Sequence, residues 1–260
     1  MNLVATLADG DAARLAVLSD FDGSLSQIVD EPDDAVALPA ARDALAAVAR
    51  RAGLVAVVSG RPVAFLREQL PIDGLRYVGQ YGLEWTDDNG AITYDDRAEP
   101  YLDAVARVAD EADARFPSAW IERKGRLAVT LHWRMHPELG DDVTRWADDA
   151  AARHGLAVYP TRMARELRPP VPVDKGTAVG ALLDAHPAID RACFAGDDHG
   201  DLAAFQALRD HRAAGRLRDA VRIAVRSDEA PPDLLARADV AVDGPAGLAA
   251  LLDELARSLS

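Results

Sequence analysis

Residues 15–25 read LAVLSDFDGSL. Leu15, Ala16, Val17 and Leu18 form an apolar run with no solvated face, as expected of a strand buried on both sides. Asp20 and Asp22 follow where that strand should end, with Gly23 and Ser24 directly after. In an open α/β sheet, ligands bind beyond the carboxyl ends of the strands. Two carboxylates this close repel each other unless a cation or a proton is shared between them. A hard divalent ion such as Mg²⁺ suits such oxygen donors. Gly23 allows a tight turn or a close approach to a ligand, and the Ser24 hydroxyl can donate a hydrogen bond. Taken alone, the pattern also fits a strand running into an acidic turn, so the remaining chain has to decide.

The 260 residues suffice for one large α/β domain or for a core carrying a smaller insert. A hydrophobic content of 49% is that of a globular chain. The net charge of -14 argues against nucleic acid or an anionic membrane as a partner, while leaving room for a local basic pocket. No run of apolar residues is long enough to suggest a membrane span. Cys193 is the single cysteine, which excludes an internal disulfide and reads as a small buried hydrophobe. The first residues, MNLVATLADGDAARL, lack the basic start of a signal peptide; they are expected to be a short leader into the first strand of a cytoplasmic protein. Of 29 basic residues only Lys124 and Lys175 are lysines, so each lysine points to local chemistry. Oligomeric state has no signature in the sequence.

After an acidic stretch at 28–34, Pro39 opens an alanine-rich helix to Arg51 with Leu38, Leu45 and Val48 as packing positions and Gly53 as its stop. The strand LVAVV at 54–58 leads through Ser59, Gly60, Arg61 and Pro62 into a helix over 63–70. Strands alternating with helices indicate a parallel sheet. A short strand at 76–78 precedes a turn in GQYGLEW. From Pro100 the texture changes. A helix over 101–116 shows Leu102, Val105, Val108 and Ala112 on one face. A strand at 127–133, a helix within 137–154 and short strands at 156–159 and 164–168 follow. The stiff Pro169-Pro170-Val171-Pro172 segment returns the chain to the core, and Asp174 caps a helix over 175–185. A strand at 191–195 ends in GDDHGD, followed by a helix at 201–211, strands at 221–225 and 240–242, and an amphipathic helix at 247–259.

Four polar groups therefore sit at strand or helix ends: Asp20 with Asp22, Ser59, Lys175, and Asp197 with Asp198 and Asp201. A parallel sheet would bring them to one edge. Phosphoryl transfer uses such parts: a metal and a lysine to balance charge, and a hydroxyl with backbone N–H groups to hold phosphate oxygens. An aspartate nucleophile splits hydrolysis into two easier steps, and a second carboxyl can protonate the leaving alcohol and later deprotonate water.

These loops resemble those of the haloacid dehalogenase superfamily and, within it, of the trehalose-6-phosphate phosphatases, over nearly everything from Leu15 onward. The resemblance implies an α/β fold, with a Rossmann-like parallel-sheet catalytic core over 1–97 and 169–260. It also implies an inserted α+β cap domain for substrate recognition over 98–168. DFDGSL implies Asp20 as nucleophile and Asp22 as acid/base, with Ser24 at the substrate where threonine is usual. VVSGRP implies Ser59 as the phosphate-binding hydroxyl, with Arg61 beside the substrate, and VDKGTAV gives Lys175 the charge-screening role. GDDHGD adds Asp197, Asp198 and Asp201 to Asp20 and Asp22 as the set around Mg²⁺.

IERKGRLAVTLHWR resembles the cap strands of these phosphatases. Glu122 and Lys124 match the pair that reads sugar hydroxyls, His132-Trp133-Arg134 matches the ending with tryptophan where tyrosine is usual, and RELRPP supplies Glu166. The i, i+2 spacing of Glu122 and Lys124 equally suits an ordinary surface pattern on a strand. Two stretches depart from the family. Tyr81 stands where histidine is usual, and Gly200, Leu202 and Ala203 replace a threonine, a glutamate and an aspartate. The expected function is Mg²⁺-dependent hydrolysis of trehalose 6-phosphate through an aspartyl-phosphate, with a small sugar phosphate as partner and neither nucleic acid nor membrane. The alternatives are a related phosphatase for another disaccharide or pseudo-disaccharide phosphate, and a non-catalytic sugar-phosphate sensor.

Overall fold

The computed structural model describes residues 3–29, 34–161, 163–227 and 230–259, so the acidic stretch at 28–34 is described only at its ends. The chain forms two compact units, 1–92 with 173–260, and 93–172. In chain order the regular elements are α1 (Leu3–Ala8), β1 (Leu15–Ser19), α2 (Pro39–Ala49), β2 (Leu54–Val58), α3 (Val63–Gln69), β3 (Arg76–Gly79), β4 (Glu84–Thr86) and β5 (Ile92–Tyr94). Then come α4 (Leu102–Arg115), β6 (Trp120–Lys124), β7 (Ala128–His132), α5 (Gly140–His154), β8 (Ala157–Thr161) and β9 (Ala164–Arg168). The chain ends with α6 (Lys175–Ala185), β10 (Arg191–Gly196), α7 (Asp201–Ala213), β11 (Asp219–Arg226), α8 (Pro232–Arg237), β12 (Val240–Asp243) and α9 (Gly244–Ser258).

The first sheet has the order β12-β11-β10-β1-β2-β3-β4-β5, parallel from β12 to β3 and antiparallel between β3 and β4. All five residues of β1 and of β2 are buried. The reason is that alternate residues serve two cores. Leu15, Val17, Val55 and Val57 pack with α1, α2, α3 and α9, whereas Ala16, Leu18, Ala56 and Val58 pack with α6, α7 and α8. Helices on both faces explain why these strands read as continuous apolar runs. The order reverses at β1: later strands run outward through β2 on one side, and through β10 on the other. That reversal opens a crevice at the carboxyl ends of β1 and β10, where Asp20 and Asp197 emerge.

The second unit is an antiparallel sheet of order β6-β7-β9-β8. Val129, Leu131 and Leu167 face α4 and α5, which contribute Val105, Val108, Val143 and Ala147 to that core. The opposite face carries Glu122, Lys124, Thr130 and Glu166, so the strands alternate apolar and polar.

The start of the chain is not a passive leader. Leu3, Val4 and Leu7 of α1 are buried against the core that α9 also covers. The signal was faint because six residues contain fewer than two helical turns. Strands β4 and β5 were missed for a similar reason, being only three residues each. Arg191 anchors the N-terminal segment. Its guanidinium is buried, and it donates to the Leu7 carbonyl at 2.6 Å, to the Asp11 carbonyl, and to Asp190 at 3.3 Å. Arg191→Ala leaves those carbonyls without donors and opens a void. It should cost about 2–4 kcal/mol in urea unfolding and make the region before Ala12 the first to be cut by protease. A change within about 0.5 kcal/mol, as for a surface site, would contradict this role.

Candidate active site

Asp20 follows β1 and is buried; its N–H donates to the Ala195 carbonyl of β10 at 2.8 Å. Lys175, first residue of α6, is set by a capping box: Thr177 N–H donates to Asp174 Oδ1 at 2.7 Å, and Asp174 N–H donates to the Thr177 hydroxyl at 2.9 Å. The VDKGT sequence thus starts the helix one residue before the lysine. Its ammonium lies 2.9 Å from Asp20 Oδ2, 2.7 Å from Asp201 Oδ1 and 3.7 Å from Asp198 Oδ1. Asp201 in turn shapes the loop after β10, because its Oδ2 accepts from the N–H groups of Asp197 at 2.8 Å and Asp198 at 3.0 Å.

Two glycines make this crowding possible. A Cβ at Gly23, whose φ is +70°, would lie 2.0 Å from Asp197 Oδ2, and one at Gly196 would lie 2.2 Å from the Asp201 carboxyl carbon. Any side chain at either position would drive the carboxylates apart.

Asp20, Asp198 and Asp201 surround one ammonium and Asp197 adjoins them, so the cluster holds more negative charge than Lys175 can balance. Burial opposes the Lys175 charge, but Asp20, Asp201 and Asp198 outweigh it and hold its pKa well above the ordinary value. Burial, with Lys175 opposing and the other aspartates adding to it, pushes the Asp20 carboxyl well up. Burial and the neighbouring Asp201 and Asp198 push Asp197 up to about 7. Oxygens of Asp20, Asp197 and Asp201 lie within 4.8 Å of one another, and the buried Asp197 Oδ1 has no hydrogen-bond partner. An all-oxygen, over-acidic group with an orphaned lone pair fits a hard divalent cation.

Ser59 follows β2 and is buried; its Oγ accepts from Arg61 N–H at 3.2 Å. Arg61 grips Asp22 through two parallel hydrogen bonds, Nε to Oδ2 at 2.9 Å and Nη2 to Oδ1 at 2.8 Å. Asp22 is therefore held by Arg61 at the edge of the cluster, while Asp198 is set by Lys175 and by the Asp201 N–H, at 3.2 Å. Ser24 is fully buried, and its Oγ lacks a hydrogen-bond partner. Asp20, Asp22, Ser59, Arg61, Lys175, Asp197, Asp198 and Asp201 thus all lie at the carboxyl end of the first sheet or on the loops leaving it.

Glu122, Lys124 and Glu166 share the polar face of the second sheet. Lys124 Nζ donates to Glu166 Oε2 at 2.7 Å, and His132 Nε2 lies 2.9 Å from Glu122 Oε2. Four further side chains on this face escaped the sequence reading. Trp120 stacks on His132 at 4.4 Å, the Arg168 guanidinium lies 3.7 Å from the Tyr159 ring centre and 3.8 Å from Glu166 Oε1, and Thr130 Oγ1 is 3.5 Å from Glu166 Oε2. The i, i+2 spacing of Glu166 and Arg168 was the available signal.

Residues 18–239 match the family model described as trehalose-phosphatase. The chain belongs to the trehalose-phosphatase family. A protein named trehalose-phosphate phosphatase from Mycobacterium bovis is 35% identical over 97% of this chain. The chain spans 64% of that relative's length. Among solved structures, a trehalose-6-phosphate phosphatase related protein superposes with a TM-score of 0.74 at 24% identity, covering 93% of this chain and 97% of that one. The C-terminal domain of the C. albicans trehalose-6-phosphate phosphatase gives 0.69 at 22% identity, covering 100% and 99%. Both likenesses establish the fold, a parallel-sheet core of the haloacid dehalogenase type.

Folding raises the proton affinity of Asp197, so its contribution favours the folded metal-free protein at low pH and is lost as pH rises from about 4 through about 7. Asp197→Asn should reduce the loss of stability between pH 5 and pH 8 by on the order of 1–3 kcal/mol. Thermal melts in chelator across that range would show it, and an unchanged pH dependence would refute the assignment of buried excess charge to Asp197.

Proposed function

We propose that this protein is a Mg²⁺-dependent phosphatase that hydrolyses trehalose 6-phosphate to trehalose and phosphate through an aspartyl-phosphate on Asp20. Family membership supports the substrate, and one observation carries the chemistry: the buried Asp20 carboxylate lies 2.9 Å from Lys175 in a cluster with too few positive charges. The first unit is read as the catalytic core and the second as the sugar-reading domain.

In the first step Asp22 carries the proton taken from water in the preceding turnover; an Asp20 oxygen attacks phosphorus, Asp22 gives that proton to the departing sugar oxygen, the bond between that oxygen and phosphorus breaks, and the phosphoryl group stays on Asp20. In the second step Asp22 takes a proton from water, the water oxygen attacks phosphorus, and the Asp20–phosphorus bond breaks to release inorganic phosphate. Arg61 keeps Asp22 oriented through its paired hydrogen bonds. Lys175 balances charge on Asp20 and the transferring group, and Ser59 with the backbone N–H groups of its loop holds phosphate oxygens. Asp20, Asp197 and Asp201, with Asp22 and Asp198 beside them, would hold Mg²⁺, which neutralises phosphate and carboxylate charge when bound.

Glu122, Lys124 and Glu166 offer acceptors and a donor suited to a neutral polyol. Ser24 lines the loop beside the phosphate. The lone, buried Cys193 needs no oxidising compartment, in keeping with a cytoplasmic setting. Among the described residues no helix is long and apolar enough to cross a membrane. The altered Gly200 and Leu202 favour, as a second reading, a different disaccharide or pseudo-disaccharide phosphate.

A panel of sugar phosphates at equal concentration tests the substrate: at least tenfold preference for trehalose 6-phosphate is expected, and a smaller preference favours the second reading. Binding without phosphate release in Mg²⁺ would instead indicate a sensor. Glu122→Ala, Lys124→Ala and Glu166→Ala should each lower kcat/KM on the sugar phosphate far more than on an aryl phosphate, because remote contacts act only on the larger substrate. Equal losses on both substrates would mean that these residues support the fold instead.

A further inference from the structure

Gln80 and Tyr81 are consecutive non-glycine residues with left-handed backbones, φ 51° and 59°. Such conformations are costly for residues with a Cβ and persist where surroundings enforce them. Here the enforcing partner is the loop after β2. Tyr81 N–H donates to the Ser59 carbonyl at 3.0 Å, and Gln80 N–H donates to the Arg61 carbonyl at 3.1 Å. Gly79 lies so close that a Cβ there would meet the Arg61 carbonyl oxygen at 2.7 Å. Glu84 completes the grip, its Oε2 accepting from Val63 N–H at 2.8 Å where α3 begins. The strained turn places the Tyr81 ring against Gly60: a Cβ on Gly60 would lie 2.6 Å from both Cζ and the phenolic oxygen. The ring therefore fills the space that a side chain in the middle of Ser59-Gly60-Arg61 would occupy.

We infer that Tyr81 is a positioning residue for the phosphate-binding loop, its ring holding Gly60 so that Ser59 and the Arg61–Asp22 pair keep their working geometry. This rests on the proposed phosphatase reading, in which Ser59 receives phosphate and Asp22 moves the proton. The packing lies with the ring and its phenolic oxygen together, both 2.6 Å from a Cβ on Gly60. The Ser59 and Arg61 carbonyls hold the left-handed backbone, which glycine at 81 adopts freely while losing the ring contact. A residue that merely supported the fold would change stability and activity together; a positioning residue separates them.

The test uses the full chain in Mg²⁺ with trehalose 6-phosphate and an aryl phosphate. Tyr81→Phe, which keeps the ring and loses only its oxygen, should retain more kcat/KM than Tyr81→Ala. Tyr81→Gly should melt at or above Tyr81→Ala, since glycine adopts the left-handed conformation freely. It should nevertheless lose at least about tenfold in kcat/KM on both substrates, as misplacement of reacting groups does, with a matching rise in the inhibition constant of inorganic phosphate. Gly60→Ala should be at least as damaging in the parent but nearly silent in the Tyr81→Gly background, where the added methyl meets no ring. Parent-like kcat/KM per folded molecule in Tyr81→Gly, or additive effects of the Gly60 and Tyr81 changes, would overturn the inference. A parent that hydrolyses neither substrate would instead overturn the phosphatase reading.

Discussion

Lys175 lies buried 2.7 Å from Asp201 and 2.9 Å from Asp20, and the carboxyl end of the first sheet is arranged around those two contacts. Breaking a buried ion pair by removing one partner costs about 3–5 kcal/mol, because the other charge is left unpaired in a poor solvent for ions. The cluster therefore cannot drift apart without threatening the fold. It ties together segments distant in sequence: the end of β1, the start of α6 and the loop before α7. Asp201 serves twice, holding Lys175 with one oxygen and the loop N–H groups of Asp197 and Asp198 with the other. Gly23 and Gly196 are the steric counterpart, leaving room for the carboxylates to meet.

Structural stability and chemical use pull against each other in such a cluster. The carboxylates outnumber the one ammonium, and burial first, with the neighbouring carboxylates adding to it, raises the proton affinity of Asp20, Asp197 and Asp201. The same excess fits a divalent cation. At the rim the crowding is milder: Arg61 holds Asp22 in a paired, partly exposed contact that leaves its carboxyl group within reach of solvent. On the proposed reading, this gives one aspartate a dry setting for attack at phosphorus and the other a wetter setting for proton transfer.

Much of this was legible in the chain. Apolar runs at 15–18, 54–58 and 192–195 end in polar groups, and a parallel sheet puts such ends side by side. Asp20, Ser59 and Asp197 follow those runs in the structure, and Lys175 heads its helix because Asp174 and Thr177 cap it. The resemblance carried the second unit further than periodicity could, since Glu122 and Lys124 also suit an unremarkable surface strand. Long-range partners were not legible. Nothing local says that Arg61 would pair with Asp22, that Arg168 would lie over Tyr159, or that Arg191 would reach Leu7 and Asp11. Tyr81 read as an odd residue in a turn; only the backbone shows it in a left-handed conformation against Gly60.

The central claim is that the carboxylate beside Lys175 takes the phosphoryl group. Asp22→Asn retains an attacking Asp20 but loses both the acid for the sugar oxygen and the base that activates water, so the covalent species should accumulate from an aryl phosphate, whose leaving group departs without a proton. Rapid acid quenching of this variant with an aryl phosphate and Mg²⁺, followed by peptide mass spectrometry, measures it directly. The account predicts one added phosphoryl group on the peptide spanning Leu15–Leu25, placed on Asp20 by fragmentation. A phosphoryl group on any other residue, or steady turnover with an unmodified Asp20 at every quench time, would contradict it.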